Sequence, residues 1–216
     1  MPLCFAKIHS HMYSLGDSGF IHFRNARILW ASSPQTHSFN TPYQLSIVPP
    51  KMRAQAAVFG GDYLEDHPHD AGVSNLRMQH GDILILMTDG VFDNLDHAEL
   101  LRLVTGRMVL TGAWNATTTT TTPPTQEDWN GVAVVSNRLS SLTGSPEEEE
   151  KEEGGTIQGL LAATIAGEAK RASHNFRRDG PFAKEAQQYF PGGGYRGGKV
   201  DDICVLVIVA VDESVE

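Results

Sequence analysis

Apolar residues fall into two kinds of run along the chain. Met12 to Leu15, Phe20 to Arg24 and Arg27 to Ala31 are short extended candidates, the first two separated by Gly16-Asp17-Ser18-Gly19. That spacing predicts a β-meander joined by tight turns. Gln79-His80-Gly81-Asp82 reads as a turn, and the continuous apolar run Ile83 to Met87 behind it ends in Thr88-Asp89-Gly90. Such a run predicts a strand buried on both faces with a carboxylate at its C-terminal end. Helical spacing follows: Leu100, Leu101 and Val104 make one face, Asp96 can cap with Glu99 three positions later, and Gly106 is expected to stop the helix. Ile157, Leu160, Leu161, Ile165, Ala169 and Ala172 predict an amphipathic helix over Thr156 to His174, and Pro181 opens a shorter one. A glycine-rich loop, Gly192 to Gly198, leads through Lys199-Val200-Asp201-Asp202 into a last strand, Ile203 to Val211. Strands and helices come in segregated blocks, which favours an α+β fold.

The pattern breaks between residues 112 and 155. A threonine tract, Thr117 to Thr122, is followed by Pro123-Pro124, a serine-rich stretch and a glutamate run. Such composition buries too little apolar surface to offset its ordering entropy. The segment is expected to be a solvated, disordered insertion, with an apolar island at Val132 to Val135 that pairs locally. The 216 residues then make one domain with an insertion.

Charge and composition narrow the partners. The net charge is −9, of which Ser145 to Glu153 supplies −5 through six Glu and one Lys. Binding a phosphate backbone needs clustered Lys and Arg, so nucleic acid is excluded as an expected partner. The longest apolar run, Ile203 to Val211, is nine residues, about half the ~20 needed for a membrane-spanning helix. No secretory signal is visible in the first residues, and an intracellular monomer is the expectation. The two cysteines, Cys4 and Cys204, allow at most one disulfide, and Cys204 is expected as a small buried thiol within the last strand.

Candidate chemistry sits at strand ends. Asp89 and Asp93 follow one apolar strand, and Asp201 and Asp202 precede another. If those ends adjoin, carboxylates converge at the rim of the core, where at an effective dielectric of about 20 two of them ~5 Å apart repel by roughly 3 kcal/mol. A cation relieves this, and oxygen donors suit Mg²⁺ or Mn²⁺. Turns and helix caps use Asp in the same places, so spacing alone leaves both readings open.

Five ordered strings decide between them: Leu15-Gly16-Asp17-Ser18-Gly19, the run from Ser38 to Leu45, the run from Gly81 to Asn94, Pro181-Phe182-Ala183, and the run from Gly197 to Ile203. In order and spacing they resemble the metal-dependent protein phosphatases of type 2C, and more narrowly the branch with mitochondrial and chloroplast members. The resemblance covers about Met12 to Leu110 and Thr156 to Val211. It implies an α-β-β-α sandwich, two antiparallel sheets flanked by helices, with a two-metal centre. It implies hydrolysis of phosphoserine and phosphothreonine in proteins by metal-activated water with no phosphoenzyme, and a mitochondrial setting. Asp89 and Asp201 match metal ligands of the family, with Asp201 preferred over Asp202. No residue of the chain is assigned as acid, base or nucleophile. Asp17 and Asp93 match family positions too, but a turn and a helix cap account for them.

The family also carries an acidic residue and an Asp-Gly-x-Gly-Gly segment upstream, and nothing in Met1 to Leu15 resembles either. The expectation is a domain lacking its N-terminal part, with little or no activity of its own. A truncated gene model is favoured over a short form that only binds phosphoproteins. Haloacid-dehalogenase-like phosphohydrolases are a further alternative, disfavoured because no Asp-x-Asp precedes the first apolar strand. The loop Gly193 to Val200 imitates a phosphate-binding loop but leads into a strand and has Val200 where Ser or Thr belongs; its glycines are expected to give a mobile approach to that strand. Glu65 to Asp70 reads as a solvated loop with two histidines, and Lys170, Arg171, Arg177 and Arg178 as a solvated helix end.

Overall fold

A computed structural model of the chain describes residues 8–60, 63–116, 132–144 and 155–212. The strands are β1 (Ile8–Ser14), β2 (Gly19–Arg24), β3 (Arg27–Ala31), β4 (Thr36–Ser38), β5 (Thr41–Pro42), β6 (Gly72–Met78), β7 (Ile83–Met87), β8 (Trp114–Ala116), β9 (Val132–Val134) and β10 (Val205–Val209). The helices are α1 (Pro50–Phe59), α2 (Asp89–Phe92), α3 (His97–Leu110), α4 (Ser136–Thr143), α5 (Ile157–Ser173) and α6 (Pro181–Tyr189). Two antiparallel sheets matter for function: a four-stranded one in the order β10-β7-β2-β3 and a two-stranded one, β1-β6. The α+β expectation holds, with helices packed on one face of the larger sheet.

β7 lies between β10 and β2, with Ile85 opposite Val207 on one side and Ile21 on the other. Its continuous apolar run is explained by burial on both faces. Ile83, Ile85 and Met87 enter the main core with Phe23, Leu100, Val104, Leu161 and Ile165 from the sheet and from α3 and α5. Leu84 joins Phe20, Leu76 and Met78 in a smaller core beneath β1-β6.

The expected meander is only half present. β2 and β3 form a hairpin turning at Asn25 and Ala26, both at positive φ, but β1 pairs with β6 and belongs to the other sheet. The turn at Gly16 to Gly19 therefore crosses between layers. α3 begins at the capping box of Asp96 and Glu99 as expected but runs through Gly106 to Leu110. Its buried Thr105 and Met108 hold it together past the glycine. α5 has the expected bounds, capped by Thr156, although Leu160, expected on its apolar face, is exposed.

Two further expectations are corrected. Cys204 is exposed, not buried. It lies two residues from Leu206 on the strand face where Leu206 and Ile208 are also exposed, because β10 is an edge strand and the two-stranded sheet covers Phe20 and Leu84 instead. Within the 112–155 segment the apolar island pairs locally as expected, β9 with β8, but Trp114 and Leu139 are fully buried against the main cluster rather than solvated. The threonine tract and the glutamate run lie outside the described residues, as does Cys4. Among the described residues no helix is long and apolar enough to cross a membrane.

Candidate metal centre

The two acidic strand ends adjoin because β7 and β10 are antiparallel neighbours. Val205 pairs with Met87, so the chain leaving β7 meets the chain entering β10. Thr88 stitches them: its Oγ1 donates to the Asp202 carbonyl at 2.8 Å and accepts from the Cys204 N–H at 3.0 Å. Gly90 permits the close approach, since a Cβ there would lie 2.5 Å from the Asp202 carbonyl oxygen. The chain turns into α2 at once, which puts Asp89 and Asp93 one helical turn apart on the same side.

The result is a group of three carboxylates, Asp89, Asp93 and Asp201, offering oxygens all within 4.8 Å of one another. Asp89 and Asp201, singled out from sequence, are thus together. Asp202 is outside the group, its backbone carbonyl accepting from Thr88 Oγ1. Asp93, read as a helix-cap residue, joins the group; the signal that would have found it is its i+4 spacing from Asp89 on a helical turn. Asp17, on the β1–β2 connection, is close enough for Asp89 to raise its pKa further after burial has done so.

Among the described residues, Lys199 is the cation paired with this group. Its ammonium lies 2.6 Å from Asp93, 2.9 Å from Asp201 and 3.7 Å from Asp89, and 4.6 Å from the centre of the Phe182 ring. Its backbone is pinned by the fully buried Asn94, whose side chain accepts from the Lys199 N–H and donates to the carbonyls of Lys199 and Gly90. Burial pushes the Asp93 carboxyl up to about 6, although the hydrogen bond from Lys199 pulls the other way. Asp201 is held below the usual carboxylate range, chiefly by Lys199. Burial alone would lower Lys199, but Asp93 and Asp201 hold its pKa above the usual lysine range. One ammonium therefore leaves the group with excess negative charge, and an all-oxygen donor set of this kind fits a hard divalent cation.

A cleft of about 570 Å³ opens beside the carboxylates, walled by Phe39, Phe92, Leu95 and Phe182 as well as by Asp17, Asp89 and Asp93. Phe39 and Phe182 are 5.1 Å apart between ring centres. The glycine-rich loop is not a mobile approach at its end: Gly197 and Gly198 are buried, and a Cβ on Gly198 would meet the Ala172 carbonyl at 2.1 Å. Asp179 anchors the loop by accepting from the Gly197 N–H and from Arg196. Lys199 points into the carboxylates, which removes the likeness to a phosphate-binding loop.

The remaining sequence candidates have structural partners. Asp66 is buried and accepts from the Gln44 N–H at 2.8 Å and from His37 at 2.9 Å, so the segment Glu65 to Asp70 is not simply solvated. Arg178 binds Glu99 and the Asn94 carbonyl, tying the α5–α6 connection to the start of α3.

No family model matches the chain. It is similar to the protein phosphatase PTC7 homolog fig of Drosophila yakuba, 31% identical over 215 residues, which covers 97% of this chain and 51% of that protein. The like-named protein of Drosophila sechellia is 42% identical over 108 residues, 48% of this chain and 32% of that one. The chain thus spans about half or less of the length of these curated relatives. Among solved structures, the photosystem II phosphatase PBCP superposes with a TM-score of 0.55 at 21% identity, over 94% of this chain and 59% of that one. At this identity the likeness is one of fold. In its run of motifs and in these relatives, the chain is similar to the PPM-type, or type 2C, protein phosphatases.

Proposed function

We propose that the chain carries the divalent-cation site of a phosphatase acting on phosphoserine and phosphothreonine in proteins, with Mg²⁺ or Mn²⁺ held by Asp89, Asp93 and Asp201. The observation that supports this most is the convergence of three carboxylates from two strand ends around a single lysine. A bound divalent ion supplies two things: a lower pKa for water and charge to offset the phosphoryl oxygens. The chain's own residues do the rest. Asp93 must lose its proton to act as a donor, the Asn94 clamp keeps the Lys199 backbone and α2 in register, and the aromatic cleft takes the peptide on either side of the phosphorylated residue.

A metal-free phosphoprotein-binding role is disfavoured by the same charges, because a phosphate dianion would face carboxylates in excess of the one ammonium. A haloacid-dehalogenase-like reading is disfavoured because the four-stranded sheet is antiparallel throughout. The domain is read as one unit interrupted by the low-complexity segment, working as a monomer inside the cell, in mitochondria by the branch it resembles. Three carboxylates leave most donor positions of two ions to water, so the 216-residue chain is expected to turn over slowly. Calorimetric titration with Mn²⁺ tests the site. Binding that Asp89→Asn weakens by about tenfold or more is expected. Metal-independent phosphopeptide hydrolysis, or no binding at all, would refute the assignment.

A further inference from the structure

One nitrogen, the ammonium of Lys199, reaches all three carboxylates, at 2.6, 2.9 and 3.7 Å. The space their oxygens enclose is therefore already taken by a cation of the chain itself. That cation is badly matched to the charge around it, one positive against three negative, with Asp17 beyond. Its backbone is fixed by Asn94, but the four-carbon stem is flexible. Asn40 Oδ1 at 3.4 Å and the Phe182 ring at 4.6 Å give the ammonium partners outside the carboxylates.

We propose that Lys199 is a positioning residue acting as a displaceable internal counter-ion. It holds Asp89, Asp93 and Asp201 together in the metal-free chain and yields its place when a divalent ion arrives, turning toward Asn40 and Phe182. The inference rests on the metal reading above and adds a competition to it: ammonium and divalent ion exclude each other from one set of oxygens. By linkage, whatever removes the ammonium tightens the metal.

The sign of that effect separates it from a purely structural role. Lys199→Met keeps the stem and deletes the charge; it should bind Mn²⁺ at least about tenfold more tightly in calorimetry, since a unit charge ~4 Å away is removed. It should also melt at a lower temperature without Mn²⁺. Lys199→Arg, which keeps the charge, should stay near the wild-type affinity. A second measurement needs no variant: in the wild-type chain, acetylation of Lys199 followed by mass spectrometry should speed up when Mn²⁺ is added. If Lys199→Met binds Mn²⁺ equally or more weakly, or if Lys199 becomes less reactive with Mn²⁺, this inference is overturned while the metal site stands. If neither wild type nor Lys199→Met binds Mn²⁺, both fall.

Discussion

Strand β7 has a carboxylate at each end, and the two ends are built in opposite ways. At its start Asp82 is fully buried and has two basic partners. Arg24 donates to it from Nε and Nη2, both at 2.6 Å, and His22 lies at 2.8 Å, with the Gln79 N–H adding a fourth hydrogen bond at 2.8 Å. Burial would raise the Asp82 carboxyl, but these partners hold it below the usual range. At the far end, several carboxylates share the one Lys199, and Asp93 is pushed up to about 6. A carboxylate outnumbered by its partners is part of the fold's frame. Carboxylates that outnumber their partner leave room for a ligand.

The largest test of this contrast is a pair of substitutions. Asp82→Ala should cost about 3 to 5 kcal/mol in urea denaturation, because it takes the carboxylate from the buried His22 and leaves the half-buried Arg24 only the Arg77 carbonyl. Asp89→Asn should leave the metal-free chain as stable as before or more so, by up to about 1 kcal/mol, since it removes like-charge repulsion. Equal losses at both ends would erase the distinction.

Next in size is Gly90→Ala. Its Cβ would be driven against the Asp202 carbonyl oxygen, and the strand ends must part. A stability loss of about 1 to 3 kcal/mol is expected, as for overpacked interior sites. Mn²⁺ affinity should fall with it, although no carboxylate has changed.

The smallest effect is in the pH profile. Asp93 has a folded pKa of about 6 against about 4 for an ordinary Asp. The folded state binds its proton more tightly, so the stability of the metal-free chain should decline as pH rises from about 4 to about 6. Asp82 has the reverse sign: its contribution is complete above about 4 and is lost only as pH falls through its lowered folded value. Denaturation midpoints across this window should flatten in Asp93→Asn, and adding Mn²⁺ should reverse the slope, because the ion needs the deprotonated carboxyl.

How much of this was legible in the chain follows from the range of the forces involved. α5 and the start of α3 could be read directly, because caps and i, i+4 spacing are local. β7 was legible because burial on both faces leaves a continuous apolar run. The partner of β1 was not, since pairing β1 with β6 joins residues about sixty to seventy positions apart and only the packing of Leu76 and Met78 selects it. Cys204 misled because an apolar run looks the same in a central strand and in an edge strand with one face uncovered. α1 gave no signal because none of its residues is buried. Asp89 and Asp201 could be named from the motifs, whereas Asp93 and Lys199 acquire their part only once α2 folds and the final loop is drawn against it.

The short length of β7 has one more consequence. Seven residue steps separate Asp82 from Asp89, about 20 Å of extended chain, whereas ionic screening at physiological salt acts over about 8 Å. Charge altered at one end is felt only faintly at the other, so the frame around Asp82 can stay as it is while the opposite rim is rebuilt for a different ion or a different ester.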